Sequence, residues 1–193
     1  RELGLRTPAF SVSTWRRHAQ SLVESGHGHV SKAMSDGLYL FDTNESKKGY
    51  FTYTEMLGPQ SLEGVDEHMA PTFFQRYIEK KFELRIFFLD DAFDAMAIFS
   101  QGNDRTKVDY RRYDMVKPNR VIPFRLPPDI ENKLSLLANK LGLNTGSFDM
   151  IVDEQGQYYL LEVNPVGQFG NHSESCNLQI ERRIAERLIA HEQ

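Results

Sequence analysis

The strongest constraint in this 193-residue chain is a pair of apolar runs that alternate with acids on either side of a polar turn. Phe148, Met150 and Val152 alternate with Ser147, Asp149 and Ile151. The turn Asp153-Glu154-Gln155-Gly156 follows, and a second alternation runs from Tyr158 to Asn164. Period-two patterning around a turn predicts two paired strands, a β-hairpin within the stretch 148–168. A turn of two or four residues places position 149 opposite 160 and sets Asp149, Leu160, Glu162 and Asn164 on one face. Asp149 and Glu162 then become diagonal neighbours about 7 to 8 Å apart. That is too far for a hydrogen bond, but three oxygen donors on one face suit hard divalent cations held with a phosphate chain. The competing reading is a solvated outer face. Against it, the acids interrupt strongly apolar strands, where an unpaired buried charge is costly.

The length allows a real core in one domain or two small lobes. With 40% hydrophobic and 26% charged residues, the composition is that of an ordinary soluble protein. A net charge of −4 gives no reason to expect nucleic acid. No apolar run approaches about 18 residues and no signal peptide is present, so no membrane partner is expected and the cytoplasm is the default location. The one cysteine, Cys176, rules out an internal disulfide and fits a reducing compartment, and it reads as a packing residue. The motifs of P-loop NTPases, Rossmann folds, zincins and dithiol redox proteins are absent, and no nucleophile-base constellation is visible. The chain begins at Arg1 without a methionine and runs at once into a polar turn, so a further domain is expected upstream.

In chain order, Ser13 is placed to cap a helix with Trp15, Ala19, Leu22 and Val23 on one stripe, ending near Gly26. Residues 27–41 read as two short strands around Ser35-Asp36-Gly37, with Lys32 in the first. A strand lysine is either solvated or a point charge reaching phosphates. Residues 50–56 form another strand and 58–69 a polar connection. Strands at 72–78, 82–89 and 93–100 follow, the last two joined at Asp90-Asp91 as an antiparallel ribbon. Arg85, flanked by Leu84 and the run 86–89, needs an anionic partner or an exposed strand face. Residues 102–117 are too charged for a core and too long for a tight turn, the signature of a functional lid or a solvated loop. A helix at 130–141 follows a Pro-Pro-Asp start and stops at Gly142, with Ile130, Leu134, Leu137, Ala138 and Leu141 buried behind the hairpin. A closing helix at 178–189 turns Ile180, Ile184, Ala185 and Leu188 inward.

Several of these runs resemble one family. Asp149 in a strand, then Leu161-Glu162-Val163-Asn164-Pro165 and Val166-Gly167-Gln168-Phe169, resemble the metal-binding end of the ATP-grasp ligases, in their peptide-modifying branch. Val30-Ser31-Lys32-Ala33 is similar to that family's phosphate-binding strand, although only Ser35-Asp36-Gly37 stands where many relatives carry a longer glycine-rich flap. Gln75-Arg76-Tyr77-Ile78-Glu79 with Glu83-Leu84-Arg85-Ile86 resembles its hinge and following strand. Asp109-Tyr110-Arg111-Arg112-Tyr113 resembles the Asp-Trp-Arg-Arg-Tyr run of the microviridin-type peptide ligases.

The resemblance implies an α+β ATP-grasp fold, two lobes of antiparallel sheet with helices holding ATP between them. It divides the chain into a small lobe at 1–74 and a large lobe at 75–193, with the pre-ATP-grasp domain missing. ATP would be held by Lys32, the hinge at Gln75, Tyr77 and Ile78, Glu79 at the ribose, and Arg85 and Arg111 at the phosphates. These two arginines would also serve catalysis, and Mg²⁺ would be held by Asp149, Glu162 and Asn164. The implied activity is that of a microviridin-type or grasp-with-spasm maturase. It would activate Asp or Glu side chains of a ribosomal precursor peptide as acyl phosphates and close ω-ester or ω-amide rings. The partners would be the leader and core of that peptide, with a second copy of the chain as a further candidate. The ribbon at 82–100, with Asp90, Asp91 and Asp94 near its tip, and the 130–141 helix are the expected leader docks. A ligase joining amino acids to a small molecule or a protein tail, and a non-catalytic nucleotide-binding module, are the alternatives.

Overall fold

The computed structural model describes residues 2–34, 39–41 and 49–191. They fall into two units, one from residues within Pro8–Ile78 and Asn103–Lys117, the other from residues within Arg1–Thr7, Glu79–Gly102 and Pro118–Gln193. The boundary expected at 74/75 falls at 78/79, and the charged segment 103–117 groups with the first unit.

That first unit holds β1 (Phe10–Trp15), α1 (Arg16–Glu24), β2 (His29–Lys32), β3 (Tyr39–Phe41), β4 (Gly49–Phe51), β5 (Glu55–Met56), a short 3-10 turn (Pro59–Leu62) and β6 (His68–Arg76). An antiparallel sheet runs β1-β6-β2-β5, and β3 pairs with β4 separately. Ser13 therefore does not cap a helix. It lies in β1 opposite Thr72, its Oγ accepts from the Trp15 amide at 3.1 Å, and Trp15 occupies the cap position in extended conformation. The strand expected at 50–56 is split between β4 and β5. The loop Ser35-Asp36-Gly37 lies outside the described residues.

The second unit is built on β7 (Lys80–Leu89), β8 (Ala92–Phe99), β9 (Arg120–Phe124), α2 (Pro128–Leu141), β10 (Thr145–Asp153), β11 (Tyr158–Asn164), α3 (Gly170–Cys176) and α4 (Ile180–His191). Its sheet runs β11-β10-β7-β8-β9, antiparallel throughout. One face buries Leu84, Ile86, Phe88, Ala95, Ala97, Phe148 and Met150 against Leu5 and the stripe Ile130, Leu134 and Ala138 of α2. Helix α2 starts at Pro128, two residues before the expected start at 130, because Pro128 fits the first turn and Asp129 and Glu131 complement the amide dipoles there. It stops at Gly142, which adopts φ +68. Leu141, expected inside, is 51% exposed, so the buried stripe ends before the last turn. In α4 only Ile180 is buried and Ile184 half-buried. Ala185 and Leu188 face outward, so the second half of this helix does not seal the core as expected.

The hairpin forms, but not in the expected register. Val152 pairs with Tyr158, Ile151 with Tyr159 and Met150 with Leu160, and then the register slips so that Asp149 faces Glu162 directly. Two local causes are visible. The loop spans 153–157, an odd number of residues, with Asp153 Oδ1 accepting from the Gln155 and Gln157 amides at 3.0 and 2.8 Å and Gly156 at φ +75. The β-bulge then leaves Leu161 as the extra residue. Strict alternation would put Leu160 and Glu162 on one face. The bulge lets both Leu160 and Val163 reach the core while Glu162 and Asn164 face the other side. Leu160 therefore leaves the acid face, and Asp149 and Glu162 are direct rather than diagonal neighbours.

Among the described residues no helix is long and apolar enough to cross a membrane.

Candidate functional site

On the face of the five-stranded sheet away from α2, the register lines up Glu162, Asp149, Arg85 and Met96 in one row, with Asn164, Ser147, Phe87 and Asp94 in the next. The guanidinium of Arg85 answers the question its sequence context raised: its Nη1 donates to both oxygens of Asp149, at 3.0 and 2.8 Å. The two side chains are only 13% and 18% exposed, which strengthens the pair relative to a surface contact.

The backbone around the row is tightly held. Asn164 Oδ1 accepts from the Val166 amide at 3.0 Å, which bends the chain as it leaves β11. Gly167, at φ +61, then packs against the backbone of Gly146. A Cβ on Gly167 would lie 3.0 Å from Gly146 Cα, and one on Gly146 would lie 2.8 Å from the Asn164 carbonyl oxygen. Two bare backbones thus hold the end of β11 against the start of β10, a close approach that only glycine allows.

Among the described residues no group of three or more His, Cys, Asp or Glu is placed to hold a metal ion. The candidate set is instead two directly opposed carboxylates and the Asn164 amide. Its donors are all hard oxygens, and each carboxylate has more lone-pair sites than a single partner fills. Magnesium is typically held by one or two carboxylates completed by phosphates and water, so the donor set fits that ion.

Beneath α3, against this same face, lies a residue the sequence reading did not single out. His172 is 2% exposed, and among the described residues neither Nδ1 nor Nε2 has a hydrogen-bond partner. Burial, with the nearby Arg85 charge adding to it, lowers its pKa to about 4, so the imidazole is neutral. The polar run Gly-Asn-His-Ser-Glu-Ser of α3 carries no apolar periodicity that would have marked it as buried. A second missed feature is the ion pair of Lys80 with Glu83, both buried, just after Glu79. Cys176, on α3, is buried as expected, and burial pushes its thiol pKa up.

In the first unit, Lys32 lies opposite Phe73, its Nζ 5.1 Å from the ring centroid. Gln75 is buried between Val30 and Phe10 on the neighbouring strands. Tyr77 donates its amide to the Gly28 carbonyl at 2.9 Å, and Ile78 beside it is half-buried. Glu79 is exposed and belongs to the other unit. Arg111 is held by Asp109: Nε reaches Oδ1 at 2.9 Å and Nη2 reaches Oδ2 at 2.7 Å. Asp109 Oδ2 also accepts from the Thr54 amide at 2.9 Å. Burial pushes the Asp109 carboxyl up, but the hydrogen bonds from Arg111 and Thr54 outweigh it and hold it below its ordinary range. The Asp-Tyr-Arg-Arg run is therefore an anchored loop, with Arg112 paired to Glu55 and its guanidinium 5.0 Å from the Tyr53 ring centroid.

The acidic tip between β7 and β8 is already partnered. Asp94 pairs with Arg183 and Asp90 with Arg187, both on α4, and Ser135 donates to Asp91. The ribbon is also interior to its sheet, with β10 on one side and β9 on the other. It offers no open strand edge, and the acids of its tip are paired with side chains of α4 and α2 while Asp90 and Asp91 stay exposed.

Two solved structures superpose on most of this chain. A ribosomal-peptide-associated ATP-grasp ligase from Chryseobacterium gregarium, in complex with ADP and a leader and core peptide, superposes with a TM-score of 0.77 at 29% identity, over 87% of this chain and 50% of its own. The macrocyclase MdnC from Microcystis aeruginosa, bound with precursor peptide MdnA, superposes at 0.77 and 27% identity, over 98% of this chain and 56% of its own. This chain has the ATP-grasp fold. The fold likeness extends to D-alanyl-alanine synthetase A from Vibrio cholerae, with a TM-score of 0.53 at 12% identity. The ATP-grasp chain described here spans about half the length of the first two structures. No protein-family model matches it, and no curated protein does.

Proposed function

We propose that this ATP-grasp chain belongs to an ATP-dependent ligase that activates Asp or Glu side chains of a ribosomal precursor peptide and closes ω-ester or ω-amide rings. The observation that carries the reading is the row Glu162, Asp149, Arg85, two hard carboxylates and an arginine side by side on three adjacent strands. The likeness to two ribosomal-peptide ligases over most of this chain supports the substrate class.

A carboxylate is a poor electrophile, so activation has to come first. In the proposed reaction a carboxylate oxygen of the peptide attacks the γ-phosphorus of ATP, the bond to the β-bridging oxygen breaks, and ADP leaves. The resulting acyl phosphate is attacked at carbon by a Ser or Thr hydroxyl or a Lys amine. The carbon-oxygen bond to phosphate breaks, and phosphate and a proton are released. No protein nucleophile is needed, in keeping with the lack of one in the sequence. The chain's part is positioning and charge neutralisation. Asp149, Glu162 and Asn164 would hold Mg²⁺, which when bound neutralises the phosphate chain. Lys32 and the arginines Arg85 and Arg111 would meet phosphate oxygens. Gln75 and the backbone around Tyr77 and Ile78 would line the adenine and Glu79 the ribose, with the Tyr77 amide committed to the Gly28 carbonyl.

The test is to incubate the full-length protein with ATP, Mg²⁺ and a candidate precursor peptide and to follow peptide mass and ADP. Loss of one water per ring, abolished in Glu162→Gln with the fold intact, is expected. ADP formation with a free amino acid but with no such peptide would move the activity to the amino-acid ligases. Water loss at the wild-type rate in Glu162→Gln would sink the metal assignment.

A further inference from the structure

A buried polar atom without a partner demands an explanation, because the hydration it loses is not made good within the fold. Ser147 carries such an atom: the residue is 1% exposed, and among the described residues its Oγ has no hydrogen-bond partner. It belongs to the candidate site. On β10 it lies two positions before Asp149 and on the same face, about 7 Å away along the strand. Across to β11 it stands directly opposite Asn164, as Asp149 stands opposite Glu162. Four oxygen-bearing side chains thus occupy the corners of a rectangle, and Ser147 is its most buried corner. On the other side of Ser147 lies Phe87, whose ring packs against Phe169 with centroids 5.2 Å apart, and Gly167 rests on the backbone of the preceding residue, Gly146.

Directly opposed residues of antiparallel strands have their Cβ atoms about 4.5 to 5.5 Å apart, so the Asn164 amide is within reach of the Ser147 hydroxyl. That amide is held at one end. Its Oδ1 accepts from the Val166 amide at 3.0 Å, and its Nδ2 donates to none of the described residues. An asparagine serves a cation only through Oδ1, because the N–H groups of the other end aim positive charge at it. Phe87 brings no polar atom, which leaves Asn164 Nδ2 as the side-chain donor that the register sets beside Ser147 Oγ.

We propose that Ser147 is a positioning residue for Asn164: its buried hydroxyl accepts from Nδ2 when a divalent cation draws on Oδ1, and so keeps the oxygen end of the amide turned toward the cation. The inference rests on the reading of Asp149, Glu162 and Asn164 as cation ligands. It leaves the hydroxyl unpartnered in the cation-free arrangement and satisfied in the cation-loaded one.

The test is Mn²⁺ affinity of the full-length protein, by electron paramagnetic resonance or calorimetry, with no turnover involved, beside urea unfolding of the same variants in excess chelator. Ser147→Ala is expected to weaken Mn²⁺ about fivefold, the order of one hydrogen bond. Its cation-free unfolding midpoint should equal or exceed that of wild type, since an unsatisfied hydroxyl has been removed. A hydroxyl that merely supported the fold would lower that midpoint. In an Asn164→Ala background Ser147→Ala should leave Mn²⁺ affinity unchanged. Ser147→Cys, close in size and a weak acceptor, should show the same loss as Ser147→Ala. Wild-type Mn²⁺ affinity in either Ser147 variant, an equal loss with and without the Asn164 amide, or a lowered cation-free midpoint in Ser147→Ala overturns the proposal. Glu162→Gln separates the two layers: if Mn²⁺ binding ignores that change, the cation reading has failed and this inference with it; if it responds while the Ser147 variants do not, only the role of Ser147 has failed.

Discussion

Replacing His172 by Phe should flatten the pH dependence of stability on the acid side. The folded chain holds the imidazole neutral, with its pKa moved from 6.5 to about 4 by burial and by the Arg85 charge. An unfolded histidine takes up a proton near 6.5, so below that pH the unfolded state binds more protons than the folded one. The stability contributed by the neutral histidine is complete above pH 6.5 and is lost as the pH falls toward 4. The shift of 6.5 − 4 = 2.5 pH units corresponds to about 3 kcal/mol at 25 °C. That is a large share of the roughly 5 to 15 kcal/mol by which domains are stable. Urea unfolding midpoints of wild type and His172→Phe at intervals from pH 7 to pH 4 isolate the contribution, because the carboxylates that also titrate there are common to both proteins. The Phe variant should be as stable as wild type or more so at pH 7, since it removes unsatisfied polar atoms, and should gain on wild type by up to about 3 kcal/mol at pH 4. Parallel curves for the two proteins over that range would refute the reasoning.

Gly167→Ala should cost about 2 kcal/mol or more, from the left-handed backbone it forces on a side chain and the 3.0 Å approach to Gly146, read as a lowered urea midpoint. If Asn164 is a cation ligand, the same variant should also weaken Mn²⁺, because the turn that orients Asn164 is displaced. Leu134→Ala, at a fully buried position of α2, should cost about 2 to 5 kcal/mol in the same assay with cation affinity unchanged. Asp109→Asn should release Arg111 from its two-point hold and the Thr54 amide from its partner. The expected result is weaker ATP binding by calorimetry with little change in Mn²⁺ affinity, and unchanged ATP affinity would remove the 109–113 loop from the nucleotide site.

The acid tip shows how partners change an expectation drawn from the sequence. Asp90, Asp91 and Asp94 lie within five residues of one another and look like a charged end awaiting a basic ligand. In the fold their partners are Arg187, Ser135 and Arg183, between 44 and 97 residues away. Burial pushes the Asp94 carboxyl above its ordinary range against the pull of Arg183, as a packed joint would and a solvated tip would not.

What the sequence by itself determined was carried by near neighbours. The period-two runs at 147–152 and 158–164 specify two strands, because side-chain alternation is a property of each strand alone. Pro128, Asp129 and Gly142 specify both ends of α2 by local backbone chemistry. The residue types of the candidate site, two carboxylates, an amide and an arginine, were legible for the same reason. Which atoms face which was decided only in the tertiary structure. A five-residue loop and a bulge at Leu161 bring Asp149 opposite Glu162, where simple alternation set it opposite Leu160. Arg85 found its anion 64 positions away, on a strand that merely happens to be its neighbour in the sheet. His172 sits in a polar run that reads as surface, yet α3 folds over the sheet and buries it. Register, pairing across long separations and burial of a polar side chain each depend on what the rest of the chain places alongside, and no local pattern encodes that.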